Sequence, residues 1–286
     1  MKVESGTIDD GRLTVASGFL LLLQRNNLDS FAKIMARTGG RLVRNFPGRR
    51  TVRMELPGEA GTSQGIYLKR YESGYLSLVG WWLRLLRWPG CQDEAQREWR
   101  MIQVARALGI RTAVPIAFGH EKRGGVVSRS FLITQEIAGG IEGHTYAETL
   151  PPAERRRFLL RVAALAQRLH RAGFVHKDFY LGHVLVVPGV AEPDLYLIDL
   201  QRMTRPCCFQ SRWIAKDLGA LAYSALKARA SRTDLLRCYR DYCAPAPLGA
   251  REKALARRVL RRVARLRTRL PKHDGPHPST PKQEPG

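Results

Sequence analysis

Two stretches decide the fold of this chain: HKDFYLGHVL at residues 176–185 and LIDL at residues 197–200. The first follows a pattern that predicts a long helix, with apolar residues at helical spacing between prolines and a glycine. Two short apolar runs, separated by Pro188-Gly189, then predict a hairpin. In this order of elements Asp178 lies in a loop, and Asp199 lies at the end of a strand.

Two aspartates placed in this way match the sequence signature of protein kinases. That signature is His-Arg-Asp, then a metal-binding Asn, then a second Asp at the end of a strand. Here His176-Lys177-Asp178 fills the first part and Asp199 the last, and His183 stands where Asn is expected. Phosphoryl transfer needs one carboxylate facing the attacking hydroxyl and another holding the metal that bridges the phosphates. We therefore predict Asp178 as the catalytic carboxylate and Asp199 as the main Mg²⁺ ligand. The alternative is a turn residue and a strand-end cap.

His183 is assigned to both the catalytic and the metal-binding group, since it takes the place of the Asn. Imidazole is a poorer Mg²⁺ ligand than a carboxamide oxygen, because hard cations prefer oxygen. We therefore expect one tightly held metal at Asp199 and a weak or absent second site. The sequence leaves open whether His183 binds metal or only orients Asp178.

A lysine at the end of a strand is the candidate for binding the nucleotide's phosphates. The pattern between residues 41 and 71 predicts three strands, and Lys69 ends the third. Its partner should be a glutamate on the following helix. Glu98 is predicted ahead of Glu94, which shares its helix face. The alternative is that Lys69 is an exposed lysine of an edge strand.

The phosphate-covering loop is not of the usual glycine-rich type, since no Gly-x-Gly-x-x-Gly precedes the lysine. Gly48 and Arg49, in the turn of the first predicted hairpin, are assigned to cofactor binding. An ordinary hairpin turn is the alternative. Glu136 and Ile137, at the end of the strand predicted over residues 131–137, are also assigned to nucleotide binding.

A further aspartate lies on a helix predicted over residues 213–228. Asp217 lies beside an apolar helix face, where burial without partners would be costly. We predict that it holds the backbone of the catalytic loop and that His176 has a similar supporting role. The alternative is a solvated carboxylate paired with Lys216 or Arg212.

The order of elements predicts an α+β, two-lobed protein-kinase-like fold, with a small antiparallel-sheet N-lobe and a mainly helical C-lobe. Residues 41–138 form the predicted nucleotide-binding N-lobe and residues 139–270 the catalytic C-lobe. Residues 1–40 are left as an N-terminal extension, and the Pro-rich residues 271–286 are predicted to be a disordered tail.

The net charge of the chain indicates which kinds of binding partner to expect. The chain has 48 Lys plus Arg against 25 Asp plus Glu, a net charge of +23. Such a field favours a polyanion: nucleic acid, an anionic membrane surface or a phosphorylated glycan. We expect no nucleic-acid partner, because the chain carries no recognisable nucleic-acid-binding motif. The sequence makes no prediction of oligomeric state.

Nothing in the sequence predicts a membrane span or a secretory signal. No run approaches the roughly 18 apolar residues of a transmembrane helix. Glu4, Asp9 and Asp10 lie where a signal peptide carries basic residues. The five cysteines are odd in number and lack metal-ligand spacing, which favours reduced thiols. We therefore expect a cytoplasmic protein.

Two segments nevertheless have the character of a membrane surface. Residues 76–89 interleave tryptophans with arginines, as at a bilayer interface. Residues 251–270 predict a basic amphipathic helix. The alternatives are an insert packed on the core and a terminal helix that closes the large lobe.

The motifs resemble those of the lipopolysaccharide-core heptose and Kdo kinases, a bacterial family with a protein-kinase-like fold. The resemblance covers residues 41–226, and its matching segments are GRRT at 48–51, Lys69, EWR at 98–100, the stretch at 176–185, IDLQR at 198–202 and KDL at 216–218. It implies transfer of the ATP γ-phosphate, with Mg²⁺, to a heptose or Kdo hydroxyl of the lipopolysaccharide inner core. It also implies a cytoplasmic enzyme, peripheral on the inner membrane, with a lipid-linked glycan as substrate. His183 in place of Asn looks like that family, whereas Lys177 and Gln201 stand where the resemblance leads one to expect Arg and His.

Two other functions compete with this interpretation. A protein or small-molecule kinase is possible on the same fold, because fold does not define substrate. A catalytically weak pseudokinase or polyanion-binding scaffold would explain the missing glycine loop and the positive charge. Against the scaffold, Lys69, Asp178 and Asp199 are all present.

Overall fold

A computed structural model of the protein describes residues 4–72, 93–123, 126–189, 192–244 and 248–269. Within these ranges the chain forms two compact units. The sheet unit comprises the residues up to Gln103 and Ala113–Glu136. The helical unit comprises Val104–Thr112 and the residues from Ile137 onward.

The sheet unit is built on seven antiparallel strands in the order β1-β2-β6-β7-β5-β4-β3. The strands are β1 Ser5–Ile8, β2 Leu13–Ala16, β3 Arg41–Phe46, β4 Arg49–Pro57, β5 Ser63–Glu72, β6 Pro115–Arg123 and β7 Val126–Gln135. Four of them correspond to strands predicted from the sequence: β3, β4 and β5 over residues 41–71, and β7, which overlaps the strand predicted over residues 131–137.

One face of this sheet forms the core of the unit. Alternate residues of β4 and β5, among them Val52, Leu56 and Leu68, are buried on it. Phe31 and Ile34 cover that face from α2 (Phe31–Ala36), which follows α1 (Leu20–Arg25). Side chains alternate between the two faces of a strand, so Lys69 points away from this core.

The N-terminal residues belong to this unit. Residues 1–40, which the sequence pattern leaves as an extension, contribute β1 and β2 to the sheet and α1 and α2 to its core. β2 pairs with β6, a strand that was not predicted from the sequence. The sheet is consequently larger than the three or four strands expected.

The helix predicted over residues 93–108 is α3, Glu94–Ala107. Its buried residues include Trp99, whose ring lies 5.0 Å from the ring of Phe118 on β6. The helix ends before Gly109, whose φ of 69° is the left-handed conformation that favours glycine.

The helical unit combines five helices with a small sheet in the described residues. The helices are α4 Gly143–Thr149, α5 Pro152–Arg171, α6 Gln210–Lys227, α7 Arg232–Cys243 and α8 Ala250–Arg269. The sheet has the order β10-β9-β8, with β8 Ile141–Glu142, β9 Val184–Val187 and β10 Asp194–Leu197. α5 packs against α7, and α6 packs against α8.

The predicted long helix and hairpin hold the loop that carries the candidate chemistry. α5 buries an apolar stripe that includes Leu159, Val162 and Leu169, and Gly173 follows its end with a φ of 84°. An antiparallel bridge from Val175 to Thr204 then anchors the start of the loop.

The basic C-terminal helix α8 packs on the unit with its apolar stripe. Val263 and Leu266 are buried, whereas Leu260 is 67% exposed. At the contact between α6 and α8, a Cβ on Gly219 would lie 2.5 Å from Cγ of Arg262. α8 therefore closes the helical unit, as the alternative interpretation of this helix stated, and it presents its basic side to solvent.

No helix in the described ranges has both the length and the apolarity that crossing a membrane requires. The Trp- and Arg-rich segment at residues 76–89 and the tail at residues 271–286 lie outside the described residues.

Candidate active site

In the sheet unit, Lys69 and Glu98 form a largely buried ion pair. Lys69 Nζ lies 2.5 Å from Oε1 of Glu98, which is only 2% exposed. The Tyr71 hydroxyl donates to the other carboxylate oxygen of Glu98 at 3.1 Å. Burial, reinforced by the charge of Glu98, raises the pKa of Tyr71 well above its ordinary value. The predicted pairing with Glu98 is thus present, whereas Glu94 is exposed.

The turn between β3 and β4 is tight and leaves no space for a side chain at Gly48. Its φ is 75°, and a Cβ there would lie 2.8 Å from the carbonyl oxygen of Glu72. The Arg49 guanidinium lies 5.5 Å from the ring centroid of Tyr71, its cross-strand neighbour. Arg49 is therefore on the same sheet face as Lys69.

Glu136, the last residue of the sheet unit, forms hydrogen bonds with other residues of that unit. Its Oε1 accepts a hydrogen bond from Arg53 Nε at 2.7 Å, and its backbone N–H donates to Gly65 O at 2.8 Å. Ile137, the next residue, accepts a hydrogen bond from Gly140 N at 3.1 Å. The Glu136 carboxylate thus already has a cationic partner within the sheet unit.

In the helical unit, His176 is fully buried and fixes the loop that carries Asp178 through two hydrogen bonds. Its backbone N–H donates to Oδ2 of Asp217 at 2.7 Å, and its ring Nε2 lies 3.0 Å from Ile198 O. A carbonyl only accepts, so Nε2 carries the proton. Burial, with His183 next in size, lowers the pKa of His176, which favours the neutral ring.

Asp217 is buried at the centre of a polar chain that links three helices. His170 Nε2 lies 3.2 Å from Asp217 Oδ2, and His170 Nδ1 lies 2.9 Å from the Tyr242 hydroxyl. Because Asp217 is completely buried, a solvated carboxylate paired with Lys216 or Arg212 does not describe it. His170 and Tyr242 are not among the residues predicted from the sequence, although His170 lies next to the apolar stripe of α5, and that position could have indicated a buried polar contact.

Asp178 is held by two cations that the site prediction did not include. Arg202 Nη1 donates to Oδ2 of Asp178 at 2.7 Å, and Lys216 Nζ lies 3.7 Å from Oδ1. Arg202 lies in a short 3₁₀ turn at Leu200–Arg202, directly after Asp199. The short sequence separation between Asp199 and Arg202 could have indicated that this arginine lies near the site.

His183 is hydrogen-bonded to the backbone of Asp178 and faces the carboxylate of Asp199. Its Nδ1 lies 2.7 Å from the carbonyl oxygen of Asp178, so Nδ1 is the protonated nitrogen. Its Nε2 then lies 3.8 Å from Oδ2 of Asp199. Asp199 has a φ of 58°, a left-handed conformation that costs about 1–3 kcal/mol in a non-glycine residue and clusters at functional sites.

The donor atoms fit a single hard cation at Asp199. Among the described residues, no group of three or more His, Cys, Asp or Glu side chains is placed to hold a metal. Mg²⁺ is commonly bound through one or two carboxylates together with substrate phosphates and water. The Asp199 carboxylate suits that role, whereas the His183 nitrogen is a poor ligand for a hard cation.

The chain has an α+β protein-kinase-like fold, as predicted. The sheet unit carries the Lys69–Glu98 pair, and the helical unit carries the loop with Asp178. The description "Lipopolysaccharide kinase (Kdo/WaaP) family" belongs to a family model that matches residues 35–242. The chain belongs to this family, which confirms the resemblance noted in its motifs.

Named relatives agree with this assignment. The "Lipopolysaccharide core heptose(I) kinase WaaP" of Pseudomonas aeruginosa PAO1 is 30% identical over 233 residues, covering 76% of this chain and 81% of that protein. The protein of the same description from Escherichia coli K12 is 30% identical over 223 residues, covering 75% and 81%. A solved structure described as "WaaP in complex with acyl carrier protein" has a TM-score of 0.69 and 27% identity, covering 89% of this chain and 99% of that one.

Proposed function

We propose that the protein is an ATP-dependent kinase that phosphorylates a sugar hydroxyl, on heptose or Kdo, of the lipopolysaccharide inner core. The observation that carries the proposal is the loop in which His183 donates to the backbone carbonyl of Asp178 and faces the Asp199 carboxylate, with 3.8 Å between Nε2 and Oδ2. The relatives named as heptose(I) kinases favour heptose over Kdo as the acceptor sugar.

The roles follow from the chemistry of each side chain. Asp178 accepts the proton of the attacking hydroxyl, a bond forms from that oxygen to the γ-phosphorus, and the bond to the β-phosphate oxygen breaks to release ADP. Asp199 holds Mg²⁺, which supplies charge neutralisation at the phosphates when bound. His183 orients Asp178 through its backbone carbonyl. His176 and Asp217 support the loop.

The sheet unit supplies the proposed groups for the nucleotide. Lys69 binds the phosphates and Glu98 holds Lys69 in place. Backbone groups of the turn at Gly48, and the Arg49 guanidinium, add donors for the phosphates. Since the Glu136 carboxylate is engaged by Arg53, Glu136 and Ile137 contribute through their backbone.

The decisive experiment is transfer of labelled γ-phosphate from Mg-ATP to lipopolysaccharide that lacks core phosphate. We expect transfer by the wild-type protein and loss of at least about 1,000-fold in Asp178→Asn, with ATP binding retained. The matched control is Asp241→Asn, an exposed aspartate on α7. Transfer to a protein or small molecule instead would favour the second kinase interpretation. Absence of both transfer and ATP binding would favour a scaffold.

We also propose that the enzyme is peripheral on an anionic membrane surface. The exposed side of α8 carries seven cations and Leu260; the cations are Arg251, Lys253, Arg257, Arg258, Arg261, Arg265 and Arg267. A polybasic face gains about 1 kcal/mol per cation near anionic lipid. Deleting α8 would expose the unit's core, so the better test reverses charges in the triple variant R257E/R261E/R265E. Its binding to vesicles containing phosphatidylglycerol should fall, and unchanged binding would contradict the proposal.

An acyl carrier protein is a further proposed partner, on the basis of the structural relative described in complex with one. Co-elution of the purified chain with an acyl carrier protein in size-exclusion chromatography would support it. Separate elution at micromolar concentration would contradict it.

A further inference from the structure

The proposed catalytic carboxylate is surrounded by more positive charge than it can balance. Arg202 and Lys216 approach different oxygens of Asp178, at 2.7 and 3.7 Å. Both cations therefore form their ion pair with the same carboxylate. Two positive charges therefore share one negative charge.

A tryptophan keeps cationic side chains next to this carboxylate. Lys216 Nζ lies 5.8 Å from the ring centroid of Trp213, and Lys177 Nζ lies 4.7 Å from the same centroid. Contact with an aromatic face holds an ammonium group by cation–π attraction. Lys177 directly precedes Asp178, so the side chains on Trp213 belong to the same local cluster.

The electrostatics of Lys216 call for additional negative charge. Burial lowers the pKa of Lys216, and the neighbouring Arg202 and Arg262 lower it further, while Asp178 and Asp217 act in the opposite direction. A neutral sugar needs hydrogen-bond donors and acceptors but gives no reason to gather several cations. A group with negative charge would pair with them and relieve their mutual repulsion.

We infer that Arg202 and Lys216 form an anion subsite, which binds a carboxylate or phosphate carried by the acceptor beside the hydroxyl that is phosphorylated. This inference rests on the proposed function and specifies its substrate as an acidic glycan. The guanidinium of Arg202 has five N–H donors in a planar fork that suits carboxylate and phosphate, and Asp178 takes one of them. The γ-phosphoryl group of ATP is the other source of the same chemistry, and the test separates the two.

The test compares two acceptors that differ only in charge. They are a synthetic heptosyl-Kdo disaccharide with its free carboxylate and the methyl ester of the same disaccharide. Steady-state transfer from Mg-ATP and calorimetric binding are measured for wild type, Lys216→Met and Arg202→Gln. Arg240→Gln is the control, because Arg240 is an exposed arginine of α7 and the change removes the same charge.

We expect the wild type to prefer the acid, and Lys216→Met to raise KM and Kd for the acid about tenfold or more, as loss of a charge-assisted hydrogen bond implies. The ester should change less than about twofold on the same scale. Arg202→Gln should raise KM for the acid likewise and also lower kcat, because it contacts Asp178. Arg240→Gln should leave both acceptors unchanged.

Other results would overturn the inference. Equal losses for acid and ester in Lys216→Met, in kcat alone, would assign the cations to the phosphoryl group or to positioning Asp178. Equal binding of acid and ester by the wild type would exclude an anion subsite. Acid-selective binding without any transfer would keep the subsite and contradict the proposed kinase activity instead.

Discussion

At the scale of single residues, the ion pair in the sheet unit should matter for both stability and activity. Lys69→Met leaves Glu98 buried beside Tyr71 without its cation, and loss of one partner of a buried pair costs about 3–5 kcal/mol. The double variant Lys69→Met/Glu98→Gln should recover most of this loss without recovering kinase activity. Urea unfolding and phosphate transfer measure the two effects.

The control for the ion pair is Glu94→Gln, which removes an exposed glutamate from the same helix. Its free energy of unfolding should stay within about 0.5 kcal/mol of the wild-type value. If Lys69→Met is as stable as this control, the pair does not contribute as argued.

His176 should make the fold sensitive to acid. Burial keeps its folded-state pKa below the ordinary value of 6.5. Just below pH 6.5, His176 is therefore protonated more often in the unfolded chain than in the folded chain. The contribution of His176 is therefore full above pH 6.5 and is lost as the pH falls below that value towards the folded-state pKa. The slope contributed by this group approaches about 1.4 kcal/mol per pH unit.

The measurement for His176 is denaturant unfolding between pH 7.5 and pH 5, for wild type and His176→Gln. Glutamine lacks the titrating ring and keeps an N–H donor for the carbonyl of Ile198. The difference between the two slopes isolates His176 from the other histidines. Parallel slopes would show that His176 does not titrate differently on folding.

At the scale of elements, the segments predicted correctly have strong local patterns. α5 has prolines at its start, a buried stripe and a terminal glycine, and the β9–β10 hairpin has a Pro-Gly turn. β1 and β2 have four residues each, and although they pair with each other, they join the rest of the sheet only through β6, far along the chain. Short strands with distant partners leave little periodicity to read.

α7 shows that a local signal can also be overlooked. It begins at a capping box formed by Ser231 and Asp234, and this pattern is visible in the sequence. Tyr242 and Lys216, which are not among the predicted site residues, carry no comparable local signal. Lys216 reaches Asp178, and Tyr242 reaches His170, only through packing of α5, α6 and α7, so sequence spacing alone does not place them there.

The contact between α6 and α8 should be sensitive to side-chain size at Gly219. A Cβ there would lie 2.5 Å from Cγ and 2.8 Å from Cβ of Arg262, and these near-backbone atoms cannot move away without shifting α8. Gly219→Val should therefore destabilise the protein by about 1–3 kcal/mol, as overpacking commonly does. The midpoint of thermal or urea unfolding measures the change.

The matched control for Gly219 is Gly6→Ala, because a Cβ on Gly6 meets no atom within 4 Å. Its free energy of unfolding should change by no more than about 0.5 kcal/mol. A Gly219→Val variant as stable as Gly6→Ala would mean that the two helices do not pack as closely as described.

At the scale of the whole molecule, the net charge of +23 should act mainly on encounter with an anionic surface. The exposed arginines of α8 are distributed along a solvent-facing side, where salt screens them, whereas the Arg202–Asp178 contact is short-range. The Debye length falls from about 14 Å near 0.05 M salt to about 6 Å near 0.3 M.

Raising the salt concentration from 0.05 M to 0.3 M should therefore increase KM for vesicle-bound lipopolysaccharide about tenfold, and KM for a delipidated core oligosaccharide much less. The triple variant R257E/R261E/R265E should lose most of the salt dependence on vesicles. Equal salt dependence for the two acceptors would place the dominant electrostatics at the glycan, because only the vesicle presents the anionic surface that α8 is proposed to bind.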